Sequence, residues 1–123
     1  MTELSIIIVN FKSAGLIIEC LQTIYAGANN IIFEVIIVDN DSKDKSKESI
    51  LSVYPEVVWI EMNYNSGFAR ANNEGIRQAK AEVVLLLNAD TLIMDNAIEK
   101  CYRLKIPVFS YTTEHVRSDA AGT

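Results

Sequence analysis

The chain has 123 residues, half of them hydrophobic, and a formal net charge of −5. That length suits a single domain with a real core, and that hydrophobicity excludes a disordered chain. The acidic balance argues against nucleic acid as a partner, since phosphate binding needs clustered Lys and Arg, and no apolar run approaches the ~20 residues of a membrane span.

Taken in chain order, apolar runs of strand length alternate with segments of helical period, which predicts a parallel sheet covered by helices. Ser5–Val9 is the first strand and ends at Asn10. Leu16, Ile17, Cys20, Leu21 and Ile24 then recur at helical spacing, with Ser13 as the expected N-cap and Gly27 near the break. Phe33–Val38 is the second strand and runs into Asp39, Asn40 and Asp41. A polar, Lys-rich helix is expected from Ser42 to Tyr54, closed by Pro55.

Val57–Glu61 is the third strand and leads into a loop carrying Asn63, Asn65 and Gly67. A helix from about Phe68 to Lys80 returns the chain to Val83–Leu87, an unbroken apolar run typical of a strand covered on both faces. That strand stops at Asn88 and Asp90. A last helix is expected from Asp95 to Leu104, and Ile106–Thr112 reads as a further strand that Pro107 demotes to an edge. The expected order is 3-2-1-4, with right-handed crossovers. Residues 1–104 form the expected binding domain, and 105–123 an edge segment and tail without clear period.

Each strand therefore runs into Asn or Asp, and in a parallel sheet those groups collect along one edge. The carboxyl edge of an open α/β sheet is where ligands sit. Asn88 and Asp90 offer two oxygen ligands to a hard cation, which takes carboxylates together with substrate phosphates. On that tripeptide alone, a turn is the plainer reading. Asp39 is expected to face a ligand, whereas Asp41 and Ser42 read as a helix cap and first-turn acid. Gly67 allows a tight entry into the third helix, whose N-terminus favours anions. Asn72 shares a stripe with Phe68 and Ile76 and should face the sheet as a hydrogen-bonded structural amide. Arg70 lies off that stripe, available to a phosphate or carboxylate or else solvated.

Cys20 and Cys101 have no metal spacing and are expected to be buried free thiols. His115, the sole histidine, lies in the aperiodic tail and is expected at the surface. The start Met1-Thr2-Glu3 has no basic n-region, so a cytoplasmic location is expected, with peripheral attachment at the inner face of the membrane as a variant.

Four strings in order now carry a resemblance: Ser5–Asn10, Glu34–Asn40, Asn65–Asn73 (Asn-Ser-Gly-Phe-Ala-Arg-Ala-Asn-Asn) and Glu82–Thr91 (Glu-Val-Val-Leu-Leu-Leu-Asn-Ala-Asp-Thr). Over about Leu4 to Leu104 the chain resembles the family 2 glycosyltransferases of the GT-A fold, the Asn65–Asn73 run looking most like the rhamnosyltransferase-type branch. The resemblance implies a Rossmann-like GT-A half-domain that binds a nucleotide-diphosphate sugar, a UDP- or dTDP-sugar. It implies transfer of that sugar, rhamnose being the branch's example, with inversion to a glycan or lipid-linked acceptor.

The donor-binding set so implied is Asn10, Asp39, Asn65, Gly67, Arg70, Asn72, Asn88 and Asp90, with Asp90 holding Mg or Mn. Two positions depart from the family pattern. Asn88 replaces the first acid of the Asp-x-Asp motif, and Ala89 stands where the branch often has Pro. The segment that carries the family's catalytic base has no counterpart here, and Glu114 and Asp119 come too soon after the motif to serve. A non-catalytic nucleotide-sugar-binding module or an inactive fragment is the alternative. The truncated sheet edge suggests a homodimer. Rival doubly wound proteins need an acidic pair or a Gly-rich turn after the first strand, where this chain has Asn10-Phe11-Lys12.

Overall fold

The computed structural model describes residues 1–28 and 30–104, and the backbone of 108–111. Five strands, β1 (Leu4–Asn10), β2 (Phe33–Asp39), β3 (Val58–Glu61), β4 (Val83–Leu87) and β5 (Val108–Tyr111), form one sheet in the order β3-β2-β1-β4-β5. All its pairings are parallel. Helices α1 (Ala14–Gly27), α2 (Ser46–Val53), α3 (Phe68–Gln78) and α4 (Ala97–Arg103) connect the strands in turn. The expected 3-2-1-4 sheet is present, with β5 added beyond β4. Pro107 and the tail residues Glu114, His115 and Asp119 lie outside the described residues.

Period-two alternation sorts the strand side chains into two layers. Ile6, Ile8, Val35, Ile37, Leu85 and Leu87 face one cluster with Ile17, Leu21, Ile24, Ile50 and Ile98, so α1, α2 and α4 cover that side. Ile7, Ile36, Val38, Ile60 and Val84 face the other, where Ala71 belongs to α3. Because both faces are covered, β1 is buried along almost its whole length, which explains its unbroken Ile run. Gly75 lets α3 approach closely: a Cβ there would meet Ile7 Cγ2 at 2.7 Å.

Two expectations at helix starts are corrected. The second helix begins at Ser46, not Ser42. Asp41 and Lys43 instead take left-handed backbone, with φ of 66° and 55°. The reason is competition for hydrogen bonds: Ser42 is tied to the end of β2 through Asp39, and Asp44 accepts the Ser46 N–H at 2.9 Å. Ser13 stands at the start of α1 but its hydroxyl donates to the Phe11 carbonyl, so it caps nothing.

At the opposite, amino edge, Ser5 donates to Glu34 at 2.6 Å and accepts the Ala81 N–H at 3.1 Å, while Glu34 also accepts the Lys80 N–H. This clamp fixes where β4 enters the sheet. Glu99 of α4 accepts from the Asn30 N–H groups and ties α4 to the α1–β2 connection.

Candidate donor-binding crevice

Strand order reverses at β1: α1 and α2 lie on one face, α3 on the other. Connections leave in opposite directions at such a switch point, and a crevice opens above the carboxyl ends. Here it has a volume of about 340 Å³, lined among others by Phe11, Ser13, Asn40, Asn65, Phe68 and Ala89. The turns after β1, β2, β3 and β4 all contribute. Phe11 and Phe68 are 43 % and 49 % exposed, two large apolar groups kept at the edge rather than in the core.

Below the crevice lies a polar lock. Asn10 and Asp39 stand opposite each other in the register. Asn10 Nδ2 donates to Asp39 Oδ1 at 2.7 Å and to Ser42 Oγ at 3.2 Å, and its Oδ1 accepts the Ser13 N–H. Ser42 Oγ donates to Asp39 Oδ1 at 2.7 Å and accepts the Lys12 N–H, while Asp39 Oδ2 accepts the Ser42 N–H. A carboxylate has about four lone-pair sites, and these three hydrogen bonds leave Asp39 one uncommitted. It is only 5 % exposed, and it also borders a second cleft towards β3.

Asn40, which has no sequence signal of its own, organises the β3–α3 turn. Its Nδ2 donates to Asn65 Oδ1 at 3.1 Å, and its Oδ1 accepts both the Ser66 N–H and hydroxyl. Asn65 Oδ1 also accepts the Gly67 N–H, so its amide N–H groups remain available to the crevice. Gly67 has φ 87° and ψ 162°, a conformation essentially restricted to glycine, and α3 starts at the next residue. The clue to Asn40 was its place in the Asp39-Asn40-Asp41 run, but its partner is 25 residues away and only the fold pairs them.

The remaining candidates sit around this centre. Asn72 is buried as expected; its Nδ2 donates to the Phe68 carbonyl at 3.2 Å and its Oδ1 has no partner. Arg70 is exposed in the first turn of α3 and pairs with no carboxylate among the described residues, whereas Glu74 pairs with Arg77. Asn88 is half-buried at the end of β4, and a turn closed by the Thr91 N–H on the Asn88 carbonyl presents Asp90 at the surface. Cys20 lies within reach of that charge: burial first, then Asp90, pushes its thiol up to about 12.

A divalent cation would meet one carboxylate and one amide oxygen here. No cluster of three or more His, Cys, Asp or Glu converges among the described residues. That donor set suits Mg²⁺ or Mn²⁺ when a substrate diphosphate completes the shell, and does not form a cation cage by itself.

Comparison with known proteins agrees with this geometry. The model of the family "Glycosyl transferase family 2" matches residues 5–105. A poly-beta-1,6-N-acetyl-D-glucosamine synthase of Staphylococcus epidermidis is 39 % identical over 66 residues, which is 52 % of this chain and 16 % of that protein. Among solved structures, a mannosyltransferase from Pyrobaculum calidifontis in complex with GDP-Man and Mn²⁺ superposes with a TM-score of 0.68 at 26 % identity. It is matched over 80 % of this chain and 32 % of its own. TarS 1-349 of S. aureus in complex with UDP-GlcNAc gives 0.71 at 22 % identity, over 83 % and 30 %. The chain thus spans a third or less of each of these proteins.

Proposed function

Because the chain belongs to glycosyl transferase family 2, we propose that its carboxyl-edge crevice binds a nucleotide-diphosphate sugar for transfer to a glycan or lipid-linked acceptor. The observation that carries this reading is the convergence of the turns after β1, β2, β3 and β4 on one crevice with apolar walls and unused hydrogen-bonding groups. Phe11 and Phe68, which both line the crevice, offer apolar rings for a flat base to pack on. The Asn65 N–H groups suit a base carbonyl, and the remaining Asp39 lone pair suits a base N–H or a ribose hydroxyl. These preferences favour UDP- or dTDP-sugars.

Arg70 and the N-terminus of α3 supply positive potential for the diphosphate. Asp90, helped by the Asn88 side-chain oxygen, would hold Mg or Mn, and Asn10, Gly67 and Asn72 keep the strand ends and the α3 entry in shape. The cation supplies Lewis-acid stabilisation of the departing nucleoside diphosphate. Rhamnose as the sugar, inversion at its anomeric carbon, a cytoplasmic or peripheral membrane location and a homodimer belong to the same reading. The base that deprotonates the acceptor is not assigned to any residue of this chain. A nucleotide-sugar-binding module without turnover is the second reading, favoured by Asn88 in place of an acid.

The test is calorimetric titration of UDP and dTDP with Mn²⁺ or EDTA, on the wild type and Asp90→Ala. Metal-dependent binding that Asp90→Ala abolishes supports the donor site. No binding under any condition overturns it. Turnover with a supplied acceptor separates the transferase from the binding module.

A further inference from the structure

Asn40 and Asn65 are two amides in contact, and an amide carries donors at one end and an acceptor at the other. Which end faces which way is decided by the partners. Here two backbone N–H groups decide it, because a backbone N–H can only donate. The Ser66 N–H lies 2.8 Å from Asn40 Oδ1, and the Ser66 hydroxyl donates to the same oxygen at 2.9 Å. Asn40 therefore turns its Nδ2 the other way, onto Asn65 Oδ1 at 3.1 Å. The Gly67 N–H reaches that same Asn65 oxygen at 3.2 Å.

With two donors on its oxygen, Asn65 holds its Nδ2 away from the turn. That nitrogen has no hydrogen-bond partner among the described residues, and Asn65 is exposed and lines the crevice. Asn40 is only 4 % exposed, with both ends of its amide engaged. Its influence on a ligand passes through Asn65.

A free amide could offer a ligand either its oxygen or its nitrogen. This one offers N–H donors alone, which favour a carbonyl oxygen and oppose an amino group. Uracil and thymine carry a carbonyl at C4, where cytosine carries an amino group; the C2 carbonyl is common to all three. A site that meets a base with a fixed donor rejects the base that presents a donor in return.

We propose that Asn40 is a positioning residue that sets base specificity: by donating to Asn65 Oδ1 it turns the Asn65 N–H groups into the crevice, which selects a 4-keto pyrimidine over cytosine. The proposal rests on the donor-site reading and adds to it the residue that fixes the polarity of the base contact.

The test is the ratio of UDP to CDP affinity, measured by calorimetry with Mn²⁺ at pH 8 on the full chain. The wild type should bind UDP about tenfold more tightly than CDP, the worth of one hydrogen bond. In Asn40→Asp the ionised carboxylate keeps the Ser66 donors but cannot donate to Asn65. The Asn65 amide then turns over to donate to it and presents its oxygen to the crevice, while water serves the exposed Gly67 N–H. The UDP preference should fall to one or invert. Asn65→Asp, at an exposed position, keeps both hydrogen bonds to its oxygen and replaces the crevice-facing donor with an acceptor. It should lose the UDP preference too, and it tests the idea even where Asn40→Asp fails to fold.

Equal UDP and CDP affinity in the wild type overturns the proposal. So does an Asn40→Asp variant that weakens both nucleotides alike and keeps their ratio, since a merely structural role would do that. An Asn65→Asp variant that still prefers UDP overturns it as well. In each of these cases the wild type binds UDP, so the donor-site reading stands; a wild type that binds neither nucleotide ends both.

Discussion

Asn10 and Asp39 meet at the carboxyl ends of neighbouring strands, the Asn10 amide donating to Asp39 Oδ1 across 2.7 Å, with Ser42 closing the triangle. The carboxylate is thereby part of the fold and part of the crevice at once. Asp39→Ala removes the acceptor of three hydrogen bonds and leaves their donors buried, which should cost about 3 kcal/mol in urea unfolding. Ser42→Ala should cost about 1–2 kcal/mol while UDP binding survives. Loss of UDP binding by Asp39→Ala beyond its effect on folding would separate the ligand role from the structural one; equal UDP affinity in folded Asp39→Ala would reject that role.

At the metal motif, Asn88→Asp adds the carboxylate that the family pattern has. Mn²⁺-dependent UDP binding should tighten about tenfold, or about 1.4 kcal/mol, because the cation gains an anionic ligand. Unchanged or weaker binding in calorimetry would show that Asn88 does not reach the cation.

Gly75→Ala tests the packing of α3. Its Cβ would press on Ile7 Cγ2 at 2.7 Å and Val38 Cγ2 at 3.2 Å, both fully buried side chains. A loss of about 1–3 kcal/mol is expected, despite the gain in helix propensity. A stabilised variant would mean that α3 can shift outward freely.

At Gly67 a Cβ meets nothing within 4 Å, so the cost of Gly67→Ala is purely conformational, about 1–3 kcal/mol from φ 87°. It should also loosen the α3 entry and weaken UDP binding. Thermal unfolding and calorimetry on the same preparation check both effects.

Alkaline pH should destabilise the chain. Cys20 is raised from 9.0 to about 12, mainly by burial, and burial also raises the Tyr25 hydroxyl, with Glu56 adding to it. The unfolded chain releases the Cys20 proton first, so stability is full below about pH 9 and falls as pH rises towards 12. The native thiol should resist alkylation at pH 8 and react once urea unfolds the chain. Fast labelling of Cys20 in the folded protein would contradict its burial.

The layers and their polarity were legible because they are local. Alternation at two residues marks Ile6 and Ile8 for one face and Ile7 for the other, and a helix period places Ile17, Leu21 and Ile24 against the sheet. The strand ends at Asn10, Asp39 and Asn88 could be read for the same reason. The start of α2 could not, because local propensity lost to Asp39, which draws Ser42 out of the helix.

What the sequence by itself determined, then, is a parallel α/β domain with amides and carboxylates gathered at one edge, since side-chain periodicity and burial require no knowledge of distant partners. Only the tertiary structure decided that Asn10 and Asp39 bond each other and that Asn40 holds Asn65 and Ser66. Those relations join residues from separate elements, and they depend on strand register and helix docking, which the packing of the whole core sets.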